Sequence, residues 1–279
     1  MLSRLLLFFI AILFKLPLFV LHGLGNVFGY MAYRFDRRFK ERIDANLKRA
    51  FNTSNENDLK KLTRVAVREI GKCLMEAPAI WFNAPQKNFR WVKQCYGWEH
   101  VETALKKKKG IIFLTPHLGC FEITAQYYAH FHPITVLFKR PKQNWLANIV
   151  LSGRRHPQIH LAEANIQGVK LLMQALKKGE AIGVLPDQVP NEGQGVWTQF
   201  FNTPAYTMTL VSKLAASSKA TVLIGFGRRL SKGQGYEVHI EPLGQDHSPQ
   251  GINDRLEMLI RKYPTQYLWN YQRFKKPNK

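Results

Sequence analysis

Apolar strands alternating with helical segments predict an α/β protein with a mostly parallel central sheet flanked by helices. Three observations carry that expectation. Apolar runs of strand length recur between segments of helical period, Gly or Pro bounds them, and 279 residues suffice for one sizeable core. Over 58–82, Leu59, Leu62, Val65, Val67, Ile70, Leu74 and Ile80 recur near helical spacing, which predicts one or two amphipathic helices. Residues 89–96 alternate and predict a strand. Residues 101–109 predict a helix with a basic end, leading into an apolar strand at 111–114. A helix is expected over 121–130, a strand at 134–138, a helix over 142–151 and a strand at 159–162. The helix over 167–178 stops at Gly179, and 181–185 is the next strand. A helix over 206–217, strands at 221–226 and 236–241, and a helix over 252–262 follow. The aromatic-rich 267–274 is expected to be a closing helix that buries its Trp and Tyr residues.

The chain is strongly basic, with 41 Lys and Arg against 19 Asp and Glu and a formal charge of +22. That excess suits a polyanionic partner: nucleic acid, an anionic lipid surface, a phosphorylated lipid or an acidic carrier protein. The three cysteines, Cys73, Cys95 and Cys120, are scattered and odd in number, and no metal-ligand spacing accompanies them. A reduced, cytosol-facing domain without metal or cofactor is the expectation.

The first thirty-odd residues choose among those partners. Leu5 to Phe14 is wholly apolar, and after Lys15 the apolar character resumes through Tyr33. No convincing cleavage site makes this a secretory signal. The stretch is long enough to span a bilayer, which takes about 20 residues, although Lys15, Pro17 and His22 interrupt it. Arg34, Arg37, Arg38, Lys40 and Arg42 follow at once and would keep the body of the protein in the cytoplasm. A membrane anchor over 1–35 with a cytoplasmic domain over 36–279 is the leading expectation. An interfacial helix and a buried core helix are the other two readings. All three have an apolar N-terminus for which a nucleic-acid-binding protein has no need.

The chemistry centres on Gly110-Ile-Ile-Phe-Leu-Thr-Pro-His117-Leu-Gly-Cys-Phe-Glu122. A buried strand stops at a histidine, and a carboxylate follows five positions later. On one helix, five residues sweep about 500°, so the two side chains would not share a face. They meet only if His117 lies in the loop and Glu122 on the first turns of the next helix. His117 is then a general base with Glu122 as its orienting partner; otherwise the two are a loop histidine and an unrelated surface glutamate. No Gly-x-Ser-x-Gly elbow supplies a nucleophile, so the hydroxyl to be activated belongs to the substrate in this reading.

Two further constellations surround that pair. Another buried strand ends in Pro186-Asp187-Gln188 and enters a Gly/Pro loop with an aromatic return at Phe200-Phe201. Asp187 there either fixes the loop by accepting backbone N–H groups or orients a substrate. Lys139, Arg140 and Lys142, then Arg154-Arg155-His156, supply cations suited to phosphate or a developing oxyanion. The alternative for each is a solvated charged face.

Taken in order, these segments resemble the late acyltransferases of lipid A biosynthesis, the lauroyl/myristoyl type within the lysophospholipid acyltransferase superfamily. The resemblance is carried by Asn46-Leu47, Ala50-Phe51, Glu76 within Met75-Glu-Ala-Pro-Ala-Ile-Trp81, and His117-Leu-Gly-Cys-Phe-Glu122. Pro186-Asp187-Gln188 with Phe200-Phe201, Arg228-Arg229, and Gln266-Tyr-Leu-Trp269 through Arg273-Phe-Lys complete it. One departure is Val189-Pro190, where many relatives carry a polar or acidic residue.

The resemblance implies a glycerol-3-phosphate acyltransferase-like fold with an N-terminal membrane-anchoring helix at the inner membrane. It implies acyl carrier protein as donor and a phosphorylated glycolipid as acceptor, with no nucleic acid. His117 would be the base, and Glu122 would hold its tautomer. Arg154 or Arg155 would meet an oxyanion or phosphate, and Asp187 and Gln188 would support the site. A glycerolipid or amino-acid lipid acceptor is the alternative within the same chemistry. A non-catalytic, basic nucleic-acid-binding membrane protein is the remote one, and it predicts steep salt dependence that survives loss of His117.

Overall fold

The computed structural model describes residues 15–52, 55–141, 143–154 and 156–278. Four helices lead: α1 (Leu18–Phe35), α2 (Arg37–Ala50), α3 (Glu56–Phe82) and α4 (Pro85–Trp91). Then follow β1 (Val92–Tyr96), α5 (Trp98–Lys106), β2 (Ile111–Leu114), α6 (Phe121–Tyr128), β3 (Ile134–Phe138), α7 (Asn144–Gly153) and β4 (Ile159–Glu163). The remainder is α8 (Ile166–Lys177), β5 (Ala181–Val184), a hairpin of β6 (Gly195–Phe200) and β7 (Thr203–Met208), α9 (Leu210–Ser218), β8 (Thr221–Arg229), β9 (Tyr236–Pro242) and α10 (Pro249–Lys262).

Seven strands form one sheet in the order β1-β9-β8-β2-β5-β3-β4. All neighbours are parallel except β8 and β9, so the predicted mostly parallel α/β sheet is present. Alternation in β2 and its neighbours sends side chains to two faces. Ile112, Leu114, Ile182, Val184, Val222 and Ile224 join the larger core, shared with α2, α3 and α8 to α10. Ile111, Phe113, Ala181 and Leu223 join the smaller one, shared with α5 and the end of α6.

Two expectations need correction. The 267–274 segment is not a helix. Its backbone is committed elsewhere: the Leu268 N–H donates to His117 O at 3.0 Å, and the Asn46 amide donates to Trp269 O and Tyr271 O at 2.7 and 2.8 Å. Nor does 206–217 form one helix, because Tyr206 and Thr207 belong to β7 and pair with Trp197 and Val196 across the hairpin.

The N-terminal expectation also changes. No helix among the described residues is long and apolar enough to cross a membrane, so they do not support the single spanning anchor placed over 1–35. The apolar stretch before Lys15 lies outside the described residues. Within α1 the reason is visible: one face packs against α3. Gly25 and Gly29 face Gly71 so closely that a Cβ on Gly29 would lie 2.1 Å from Val67 O. His22 is buried there, with Nε2 2.6 Å from Glu76 Oε1.

Candidate active site

The site forms where β2 and β5 end side by side. The two strands pair in register from Ile111 with Ala181 to Leu114 with Val184, and the Thr115 N–H donates to Val184 O at 2.9 Å. Each strand is followed by one residue, a proline and then a polar residue: Leu114-Thr-Pro-His117 and Val184-Leu-Pro-Asp187. Equal offsets from paired positions bring His117 and Asp187 together at the carboxyl ends of a parallel sheet, where such folds bind ligands.

Asp187 is the carboxylate on the imidazole. Its Oδ1 is 2.9 Å from His117 Nδ1, and its Oδ2 accepts the His117 backbone N–H at 2.9 Å. Burial pushes the Asp187 carboxyl up, but the charge of His117 and the hydrogen bonds from its ring and backbone outweigh that, leaving it below the usual carboxylate range. An ionised Asp187 accepts a hydrogen bond from Nδ1–H, the tautomer in which Nε2 carries the lone pair. The Gln188 amide sits 3.3 Å from Nε2, and Phe121 meets the ring edge-on at 4.7 Å.

The loop needs glycine at 119. Its φ is +61°, and a Cβ there would lie 2.1 Å from Gly227 O. The Gly119 N–H donates to Gln266 O, and the Cys120 N–H to Gly227 O. The chain is thereby turned back into α6.

Glu122 stands on the first turn of α6, where the motif requires it, but it does not touch the imidazole. Both its oxygens receive the Arg154 guanidinium, through Nε at 3.3 Å and through a closer Nη2 contact. Arg154 in turn lies over Trp81, 5.2 Å from the ring centroid. Gly153 makes room for this, since a Cβ there would approach Trp81 Cβ to 2.6 Å. The expected His117–Glu122 contact is thus replaced by two pairs, His117–Asp187 and Glu122–Arg154; His117, Glu122 and Arg154 line one cavity, and Asp187 is buried behind His117. Strand adjacency decides the first pair; the guanidinium from the end of α7 takes the second.

Of the other expected residues, Gln188 reaches the site and Arg155 lies outside the described residues. Lys139 lines the cavity, whereas Arg140 pairs with Glu163 at 3.4 Å. Tyr271 was not anticipated as a site residue. Its hydroxyl accepts the Val189 N–H at 2.8 Å, and its ring lies nearly parallel to His117 with centroids 6.5 Å apart. The basic–aromatic ending that carries it was legible, but its destination was not.

The cavity is about 620 Å3, within the usual range of ligand clefts. Part of its lining, here called the polar branch, is Lys139, Lys170, Lys213, Asn191 and Gln194; another part, the apolar branch, follows one face of the sheet past Phe113, Val136, Ile134, Ile159 and Ile240 to Tyr128. Cysteine does not offer a nucleophile near the turn: burial pushes the Cys120 thiol well above its ordinary value.

A carboxylate–imidazole pair at the carboxyl ends of a parallel sheet, beside a cavity with polar and apolar walls, places the chain among α/β folds with a candidate site of general-base type. Comparison with known proteins supplies the rest. The chain belongs to the bacterial lipid A biosynthesis acyltransferase family, whose model matches residues 1–276. It is 28% identical over 271 residues to the lipid A biosynthesis lauroyltransferase of Escherichia coli (strain K12), covering 94% of this chain and 87% of that one. It is 26% identical over 273 residues to the palmitoleoyltransferase of the same organism, with the same coverages. The myristoyltransferase of that organism is 24% identical over 187 residues, 62% of this chain and 56% of that one. The protein is therefore an acyltransferase of lipid A biosynthesis, and its family supports secondary acylation of a lipid A glycolipid.

Proposed function

We propose that the protein transfers a fatty acyl chain from an acyl carrier protein thioester to a hydroxyl of a phosphorylated lipid A precursor, with His117 as general base. The observation that carries this reading is the His117 ring: Nδ1 is held by buried Asp187, and the ring lines the cavity. His117 Nε2 takes the proton of the acceptor hydroxyl as its oxygen attacks the thioester carbonyl. The C–S bond then breaks, and the imidazolium returns the proton to the leaving thiolate. Asp187 fixes the tautomer and stabilises the imidazolium. Glu122 is a positioning residue that presents Arg154 to the developing oxyanion or to an acceptor phosphate. The polar branch, with three lysines, suits the acceptor phosphates, and the apolar branch suits the acyl chain.

Membrane attachment belongs to the same proposal. While one face of α1 packs on α3, the other exposes Phe19, Val27, Phe28, Tyr30, Met31 and Phe35. Arg34, Arg37, Arg38, Lys40 and Arg42 follow immediately. An apolar face beside a basic cluster suits the surface of an anionic leaflet, with the catalytic domain on the cytoplasmic side of the inner membrane.

The test is acyl transfer from acyl carrier protein thioesters to a purified tetra-acylated lipid A precursor, with products read by mass. Gain of one acyl chain, lost in His117→Ala, is expected. No product with any chain length or any precursor would refute the assignment of donor and acceptor.

A further inference from the structure

The apolar branch raises a question that the catalytic groups leave open: what shapes it. Gly183 on β5 pairs with Phe113 on β2, and Gly225 lies on β8, the other neighbour of β2. Both glycines fall on the Phe113 face of the sheet, and both line the cavity. Glycine inside a strand weakens it and leaves nothing to pack, so its presence needs a reason.

Backbone conformation is not that reason, because neither glycine is among the residues of positive φ. Packing against the protein is not the reason either. A Cβ on Gly183 would rest 3.4 Å from Val136 Cγ2 and 3.6 Å from Ile134 Cδ1, and one on Gly225 would meet only Phe113 Cδ1, at 3.6 Å. These are ordinary contacts. Gly227, two residues further along the same face, behaves differently: a Cβ there would strike Ile123 Cγ2 at 2.5 Å and Cys120 O at 2.7 Å. Gly227 is a packing glycine, whereas at 183 and 225 the absent side chains leave only cavity.

The branch they border is deep and apolar. It descends to Ile134 and Ile159, the first residues of β3 and β4, and to buried Tyr128. From the Phe138 end of β3 to Ile134 this is roughly 13 Å, four residues at about 3.3 Å each. Its shape and lining fit an extended saturated chain and not a phosphorylated sugar.

Resting on the acyl-transfer reading, we infer that Gly183 and Gly225 determine which fatty chain the enzyme selects, by leaving open the floor of the acyl branch. A methyl group at either position narrows the branch partway down and penalises chains that must pass it. Val136 packs beside Gly183, so trimming it widens the same stretch.

The experiment compares wild type with Gly183→Ala, Gly225→Ala and Val136→Ala on a homologous series of saturated acyl carrier protein thioesters and one lipid A precursor. For each protein the readout is the ratio of kcat/KM for long chains to that for short chains. This ratio cancels the fraction of active enzyme, so partial misfolding does not mimic the effect. In both glycine variants the ratio should fall at least tenfold, the scale of one methylene in an apolar pocket, about 10–200-fold. In Val136→Ala it should rise. An unchanged ratio, or a uniform fall across all chain lengths, would overturn the inference and leave the glycines as packing positions. Wild type inert towards every thioester would instead remove the acyl-transfer reading on which it rests.

Discussion

Two buried ionic clusters in this molecule use similar groups to opposite ends. At the sheet's carboxyl end, Asp187 holds His117 through one ring nitrogen and leaves the ring facing a cavity. Behind the His117 loop, Arg229 donates to both oxygens of Glu76, at 2.6 and 2.7 Å, and to Glu69 at 2.7 Å. His22 of α1 closes on the same Glu76 carboxylate. Arg229 and Glu76 are sealed, with side chains 1% exposed, and no face of the pair is offered to a substrate. Burial resists the charge on Glu76, yet Arg229 and His22 override it and hold the carboxyl at about 2. Ionisation of a buried carboxylate therefore does not mark catalysis. The difference lies in access, because the His117 ring lines a cavity and the Arg229–Glu76 pair is sealed.

The sealed cluster bears on the site from behind. It ties α3 and α1 to β8, and Gln266, which exchanges hydrogen bonds with the Arg229 backbone, also accepts the Gly119 N–H. On the proposed mechanism the first cluster carries the chemistry, and the second anchors the loop that holds His117.

Exchange of the clusters' key groups should separate these roles. His117→Ala should lower acyl transfer by about 10²–10⁴-fold at a smaller cost in stability than loss of the Glu76 charge, read by product mass and calorimetry. Asp187→Asn should cost at least about 10²-fold in kcat, because the amide favours the wrong tautomer. Glu76→Gln should do the reverse, costing about 3–5 kcal/mol in denaturant unfolding while sparing the turnover of the enzyme that remains folded.

That same variant tests the pH dependence. A carboxyl whose folded value is depressed stabilises the fold above its unfolded value, and the contribution is lost as pH falls. For Glu76 the loss runs from about 4.5 down to about 2, so Glu76→Gln should flatten the acid limb of the stability curve in that window. The smallest effect concerns α1, whose packed face the sealed cluster holds. Phe35→Ser should weaken binding to anionic vesicles by about tenfold, roughly 1.4 kcal/mol, in a sedimentation assay.

Much of this was legible in the sequence, for local reasons. The apolar 111–114 run and its Pro-His ending placed the base at a strand terminus, and the helix–strand alternation carried the sheet. The partner of the base was harder, because Asp187 lies 70 residues from His117 and meets it only through the pairing of β2 with β5. Sequence proximity favoured Glu122, which the α7 terminus claims through Arg154. The signal that points to Asp187 is the shared strand, one residue, proline, polar ending of β2 and β5. The 267–274 segment read as a closing helix because its aromatic residues called for burial, and composition does not record where backbone groups are spent. The cavity was invisible for a related reason: its walls come from residues far apart in the chain, among them Gly183 and Gly225, which present no side chain to it.

On the proposed mechanism Asp187, and not Glu122, orients the base. The direct measurement is the pH profile of kcat/KM for acyl transfer in Asp187→Asn and Glu122→Gln beside wild type. If Asp187 orients the base, the acid limb moves in Asp187→Asn and stays in place in Glu122→Gln, which loses rate at all pH values through Arg154. A limb that moves in Glu122→Gln and stays fixed in Asp187→Asn would contradict it.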